Sequence, residues 1–196
     1  MTRIRRRSAY AVPLSAILTA AVALHPAGIA AAAADPVVSL RLSRADGTAC
    51  QPQDTVLTHT QDGSASAATF SKFVLEGDQG PRALDCTLSG AMQVPAGWRA
   101  QFVVVMSSFG YAERASRLQM TTTIGDAEPT VEMKEFPPAH ATVYQMLVEQ
   151  KVALKCGQVL PFKMRIAGSG VAPRGSQAVD GADVGTSLNS VEYTRC

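Results

Sequence analysis

Trp98-Arg99-Ala100-Gln101-Phe102-Val103-Val104-Val105-Met106-Ser107 is the stretch on which the fold turns. Phe102 to Met106 has no polar face, so it is expected to form a strand covered on both sides. Pro95-Ala96-Gly97 precedes it as a turn, and Ala83 to Val94 before that is again strand-like. The local expectation is one long hairpin about the Pro-Ala-Gly turn.

Working outward, the same periodicity recurs along the chain. Val38, Leu40 and Leu42 alternate with Ser39, Arg41 and Ser43, a half-buried first strand, and Ala45-Asp46-Gly47 turns the chain. Thr55 to Thr60 is a short second run, closed by the turn Gln61-Asp62-Gly63-Ser64. Thr69 to Glu76 is expected as one strand, ended by Gly77-Asp78-Gln79-Gly80-Pro81. Leu118 to Ile124, Thr130 to Phe136, Phe162 to Ala167 and Ser187 to Thr194 follow as strands. Ala141 to Leu154 has near-helical apolar spacing, but its β-branched residues and the nearby Pro137-Pro138 suit a strand as well. Gly168 to Gly185 is expected to be the longest loop. The chain is therefore expected to be all-β, a single antiparallel β-sandwich domain over residues 35–196, stapled by disulfides, after a cleaved signal peptide.

That signal is expected over residues 1–34. Arg3, Arg5, Arg6 and Arg7 precede an apolar stretch from Ala9 to Leu24, and Ala30 to Ala34 supplies a small-residue cleavage site before Asp35. Pro13 and His25-Pro26 interrupt the stretch, which argues against a retained membrane anchor. Of 18 basic residues, these four arginines leave with the signal, so 14 face 16 acidic ones and the formal charge of +2 becomes −2. A nucleic-acid partner thereby loses its main support. The expected location is secreted or periplasmic, with no stable membrane insertion after cleavage. The alanine-rich composition, with Asn189 as the one asparagine, is read as bacterial.

Cys50, Cys86, Cys156 and Cys196 all lie beyond the signal, and an even count outside the cytosol suggests two disulfides. Four cysteines allow three pairings, which sequence alone does not separate. The pairing taken forward is Cys50–Cys86 with Cys156–Cys196, each bridge worth about 4 kcal/mol by chain entropy.

Chemistry is poorly supplied. His59 and His140 stand apart from any Cys or acidic pair at ligand spacing, and both are taken as ordinary histidines. Met92, Met106, Met120, Met133, Met146 and Met164 are dispersed along the strands and are taken as core filling rather than copper ligands. Asp180 and Asp183, set among glycines, are weak calcium candidates, but they lack the further carboxylates of an EF-hand loop, and turn chemistry explains them. Glu128, Glu132 and Glu135 alternate with Lys134 as a solvated strand does. No G-x-S-x-G elbow exists. No catalytic residue and no cofactor are assigned. For binding, Trp98 is either a core plug or an exposed stacking residue, and Tyr111, in Phe109-Gly110-Tyr111, is a second candidate at a loop tip.

Gly47-Thr48-Ala49-Cys50, Asp85-Cys86-Thr87-Leu88, Pro95-Ala96-Gly97-Trp98, Cys156-Gly157 and the final Cys196 occur in that order. Together they resemble a four-cysteine family of small secreted proteins of unknown function found in fungi and bacteria. Asp85 stands where that family usually has Asn, and Tyr193 where an aromatic, often Trp, precedes the last cysteine. The resemblance implies a secreted, disulfide-stapled β domain and carries no catalytic residues. The function expected is an exported non-catalytic sandwich that binds a protein or a cell-surface polysaccharide. The alternatives are a small secreted hydrolase or inhibitor-like effector using Asp180 and Asp183, and a structural envelope component.

Overall fold

The computed structural model describes residues 36–76, 82–112, 116–137, 142–170 and 177–196, without the side chains of 76, 82, 177, 178, 180 and 181. The expected signal and His140 lie outside the described residues. Eleven strands carry the fold among the described residues: β1 (Ser39–Asp46), β2 (Thr55–His59), β3 (Ala65–Phe70), β4 (Val74–Glu76), β5 (Arg82–Gln93), β6 (Trp98–Ala112), β7 (Ser116–Ile124), β8 (Thr130–Phe136), β9 (Thr142–Leu154), β10 (Val159–Gly170) and β11 (Gln177–Arg195). One 3₁₀ turn, Pro52–Asp54, leads into β2. Sheet I has the order β1-β5-β10-β7-β8; sheet II has β2-β3-β11-β6-β9, with β4 also on β11. Every ladder is antiparallel.

The core lies between the two sheets because alternate residues of each strand turn inward. In sheet II these are Ala100, Phe102, Val104 and Met106 on β6 and Tyr144, Met146, Val148, Val152 and Leu154 on β9. In sheet I they include Leu88 and Met92 on β5, Leu118 and Met120 on β7, and Phe162, Met164 and Ile166 on β10. Met92, Met106, Met120, Met146 and Met164 fill the core as expected. Met133 does not. It lies exposed on edge strand β8, where Arg117 Nη2 donates to its sulfur at 3.1 Å.

Four local expectations need correction. The expected hairpin of β5 and β6 does not form, because the two strands belong to different sheets and share no ladder. Both have an apolar face, and the two faces meet across the core, so Pro95-Ala96-Gly97 carries the chain from one sheet to the other. Val94 N donates to Gln158 O and Trp98 N to Pro95 O, while Gly97 supplies a φ of 78° that suits glycine. Nor are Phe102 to Met106 covered on both sides: Val103 and Val105 are half-buried on the outer face. Sequence hydrophobicity overstated the burial of a strand whose outer face is flanked laterally by neighbours.

The expected strand Thr69 to Glu76 is broken between β3 and β4. Phe70 and Phe73 both turn inward with ring centroids 6.3 Å apart, a spacing of three that a strict two-residue alternation forbids. The break is held by distant contacts: Phe70 N donates to Asp183 Oδ1 at 3.1 Å, Ser71 N to the backbone Asp54 O, and the Lys72 side chain pairs with Asp54 at 3.2 Å. Finally, much of Gly168 to Gly185 is strand, since β10 runs to Gly170 and β11 begins at Gln177. Two of its described glycines, Gly168 and Gly185, lie under close neighbours. A Cβ on Gly168 would meet Leu118 at 3.1 Å and Phe73 at 3.3 Å. The segment Ala141 to Leu154 resolves as the strand β9.

Both bridges form as expected, Cys50–Cys86 and Cys156–Cys196. Each closes a corner. At one, Gly47 packs so tightly on β5 that a Cβ would lie 2.4 Å from Asp85 O. Ala49 N donates to that same oxygen, and Thr48 Oγ1 reaches the Asp85 carboxylate at 3.0 Å. At the other, Gly157 N donates to Trp98 O and Cys196 N to Gly97 O. The motifs quoted above therefore meet pairwise at two stapled corners.

On the inner face of β7, Ser116 Oγ and Thr122 Oγ1 are buried without a hydrogen-bond partner among the described residues. Leaving a hydroxyl so costs of the order of 1–3 kcal/mol. Thr122→Val, which keeps the shape and removes the orphaned group, is expected to stabilise the fold by about 1 kcal/mol. A urea titration reads this as a higher midpoint at unchanged slope.

Candidate binding surface

Outward-facing residues of sheet II follow from its register. On β6 they are Gln101, Val103, Val105, Ser107, Phe109 and Tyr111. Across the ladder, Tyr111 faces Val143, Phe109 faces Gln145 and Ser107 faces Leu147 on β9. Large apolar side chains thereby collect on one open face: Val143 is 79% exposed, Phe109 46%, Leu147 45% and Tyr111 38%. On the other flank of β6, Phe109 pairs with Asp183 and Ser107 with Gly185 on β11.

Beside this ridge the face sinks. Ala65, Ala67, Gly185, Ser187, Ser107 and Thr58 line a shallow trough of about 410 Å³. Small residues at matched positions on β3 and β11 make the depression, and Ser107 Oγ donates to Gly185 O at 3.3 Å across its wall. The outer face of sheet I is more polar. There, Asp85, Arg117, Gln119, Arg165 and Ser169 line a groove of about 480 Å³. Burial pushes the Asp85 carboxyl up, but hydrogen bonds from the Thr48 amide and hydroxyl and the Arg165 guanidinium outweigh it and hold it below the usual range. Arg165 pairs with Asp85 at 3.2 Å and Arg117 with Glu135 at 3.5 Å, so both guanidinium groups are already engaged.

The two aromatic candidates are not brought together. Trp98 and Tyr111 stand near opposite ends of the 15-residue β6, about 40 Å apart at the usual strand rise. Their side chains also take opposite faces of sheet II. Trp98 packs on the core, meets Tyr193 edge-on at 6.5 Å and lies under the Arg195 guanidinium at 5.1 Å. Tyr193 in turn accepts from Val38 N at 2.9 Å. Trp98 is thus a plug at the Cys156–Cys196 corner. Tyr111 is the penultimate residue of β6 and is still in the ladder, not at a loop tip. Phe109, Val143 and Leu147 were not singled out from the sequence as a surface, although their parity with Val103 and Val105 was the available signal.

The reactive candidates are spoken for. Asp183 lies in β11 beside a bulge and accepts from Phe70 N, a fold-holding contact. The Asp180 side chain lies outside those described. His59 Nδ1 is 2.8 Å from Ser66 Oγ, a contact invisible in the sequence. Ser66 donates its own proton to Leu40 O, so the ring meets the hydroxyl as a donor and does not activate it as a base would. The Tyr144 hydroxyl is pushed up to about 12 by burial, against a hydrogen bond with Ser108 and with the Asp183 charge adding to the rise. Among the described residues, no three His, Cys, Asp or Glu side chains gather to hold a metal, and no cysteine is free. No helix there is long and apolar enough to cross a membrane.

No family model and no curated protein matches the chain. Among solved structures it is similar to a carbohydrate-binding module determined with β-1,4-galactotriose, at 14% identity and a TM-score of 0.30, over 78% of this chain and 88% of that one. It is also similar to the structure of infectious bursal disease virus, Gx strain, at 13% identity and a TM-score of 0.27, over 82% of this chain and 32% of that one. A third is the exo-β-1,3-galactanase of Phanerochaete chrysosporium with galactose, at 12% identity and a TM-score of 0.24, over 74% and 30%. This chain spans about a third of the latter two. Likenesses this faint carry no argument about its ligand.

Proposed function

We propose that this protein is an exported, non-catalytic binding module that takes an extended polysaccharide across the outer face of sheet II. The observation that carries the reading is the exposed ridge of Phe109, Tyr111, Val143 and Leu147, since apolar side chains gathered on an open face mark an interaction surface. Phe109 and Tyr111 are two residues apart on one strand, so their rings sit about 7 Å apart along it, each free to stack on a sugar ring. Gln145, exposed beside Phe109 on β9, supplies a polar group to orient a ligand on an apolar floor. Two disulfides suit an oxidising compartment outside the cytosol, which supports export. Membership of the four-cysteine secreted family is part of the same proposal, supported by the way its motifs meet at the two stapled corners.

Titration calorimetry against soluble cell-surface polysaccharides tests it. Phe109→Ala and Tyr111→Ala are each expected to weaken binding by about tenfold, or 1.4 kcal/mol, with unchanged thermal stability. If no polysaccharide binds, while a protein partner is captured and lost again with the same two substitutions, the ridge is a protein-docking surface instead.

A further inference from the structure

Independently of what the ridge binds, we propose that the open edge of β9 pairs with the same edge of a second copy of this chain, making a two-fold symmetric dimer through sheet II. The four outermost strands differ in how well they are protected. β1 is bulged between Leu42 and Arg44, β2 has five residues, and β8 carries Glu132, Lys134 and Glu135 within seven. Short, bulged and charged edges are the usual guards against edge-to-edge pairing. β9 is neither short nor bulged, and the only charges along its second half, Glu149 and Lys151, are of opposite sign. It is 13 residues long, contains neither proline nor glycine, and keeps an unbroken register with β6, its one ladder partner among the described residues.

The chemistry of that edge fits a second copy. Lys134 Nζ donates to Gln145 O at 3.2 Å, so the odd-numbered residues of β9 turn their backbone groups away from β6. This lysine guards the first half of the edge. Beyond it, Leu147, Glu149, Lys151 and Ala153 present N–H and C=O groups to the open side. A groove of about 520 Å³ runs beside Glu149 to Ala153, with Ile124, Ala127 and Leu160 along it. Antiparallel self-pairing centred on Gln150 sets Glu149 opposite Lys151 of the second copy, twice over, and Leu147 opposite Ala153. Opposite charges across a ladder stabilise the pair. A centre at Val148 would set Glu149 against Leu147, and one at Val152 would carry Glu149 past the end of β9 at Leu154. Charge matching within the strand therefore selects Gln150. The dimer would join two outer faces into one continuous sheet and present two ridges on the same side, which raises avidity for a repeating ligand.

Sedimentation of the purified, oxidised protein tests this, with a dimer expected. Glu149→Lys and Lys151→Glu each set like charges opposite one another and are expected to weaken association by at least about tenfold. Both side chains are exposed, so thermal stability should hold and exclude misfolding. An equimolar mixture of the two variants restores opposite charges and is expected to form a heterodimer, and the charge-swapped E149K/K151E chain a homodimer. A wild-type monomer, or a dimer indifferent to both substitutions, overturns the proposal.

Discussion

Replacing Cys50 and Cys86 together by alanine is expected to cost about 4 kcal/mol in stability, the unfolded-state entropy released by opening a 36-residue separation. Typical domains hold only about 5–15 kcal/mol, so this is a large share. The two sulfurs are fully buried among Ala49, Leu42 and their neighbours in the core, so their removal also forfeits packing. The comparison that isolates the packing loss is Cys156→Ser with Cys196→Ser. That bridge closes a separation of 40 residues, but both cysteines are exposed, so only the entropic part is lost. Guanidinium unfolding of the two double variants is expected to rank the buried bridge as the costlier. A loss below about 1 kcal/mol at Cys50–Cys86 would mean that the Gly47, Thr48 and Ala49 contacts with Asp85 hold that corner unaided.

The second large effect is expected at Gly90. It lies buried on β5, opposite Leu42 on β1 and Phe162 on β10. A Cβ there would stand 2.4 Å from Arg41 O and 2.6 Å from Phe162 Cζ. The ring has somewhere to turn, but the backbone oxygen belongs to a ladder strand and does not. Gly90→Val is therefore expected to destabilise by about 3 kcal/mol or more, the upper range for overpacking. Adding Phe162→Leu relieves the ring clash alone, so the double variant should recover only part of the loss. Full recovery would show that Arg41 O yields and that the strand spacing is softer than the contacts imply.

Much of this architecture was legible in the chain, and the illegible part has a common cause. Alternation located β1 and β7 closely, because a strand with one wet face writes its register into the order of its residues. Alternation says which face is inward, however, and not which sheet a strand joins. The Ala83–Val94 and Trp98–Ser107 runs carry equally good hairpin patterns, yet each finds its partners far away in sequence. The break after Phe70 depends on Asp183, more than a hundred residues away, and no local window contains both. The candidate surface failed in the same manner. Trp98, the conspicuous aromatic, is consumed by a corner, whereas Phe109 matters through neighbours on β9 and β11 that only the fold supplies.

The place of β11 has a consequence for how the molecule is made. It is the last of the described strands in chain order, and among the described residues sheet II has no path from β3 to β6 except through it. A ribosome delivers residues in order, so β2 and β3 emerge early, β6 and β9 later, and the 19-residue strand that joins them last of all. Until then the flanks of β3 and β6 that β11 will cover stay open, and pairings this distant in sequence form slowly. Sheet II is thus completed only once β11 has been made, and before that its two halves are separate two-stranded ribbons, too small to hold a stable sheet alone.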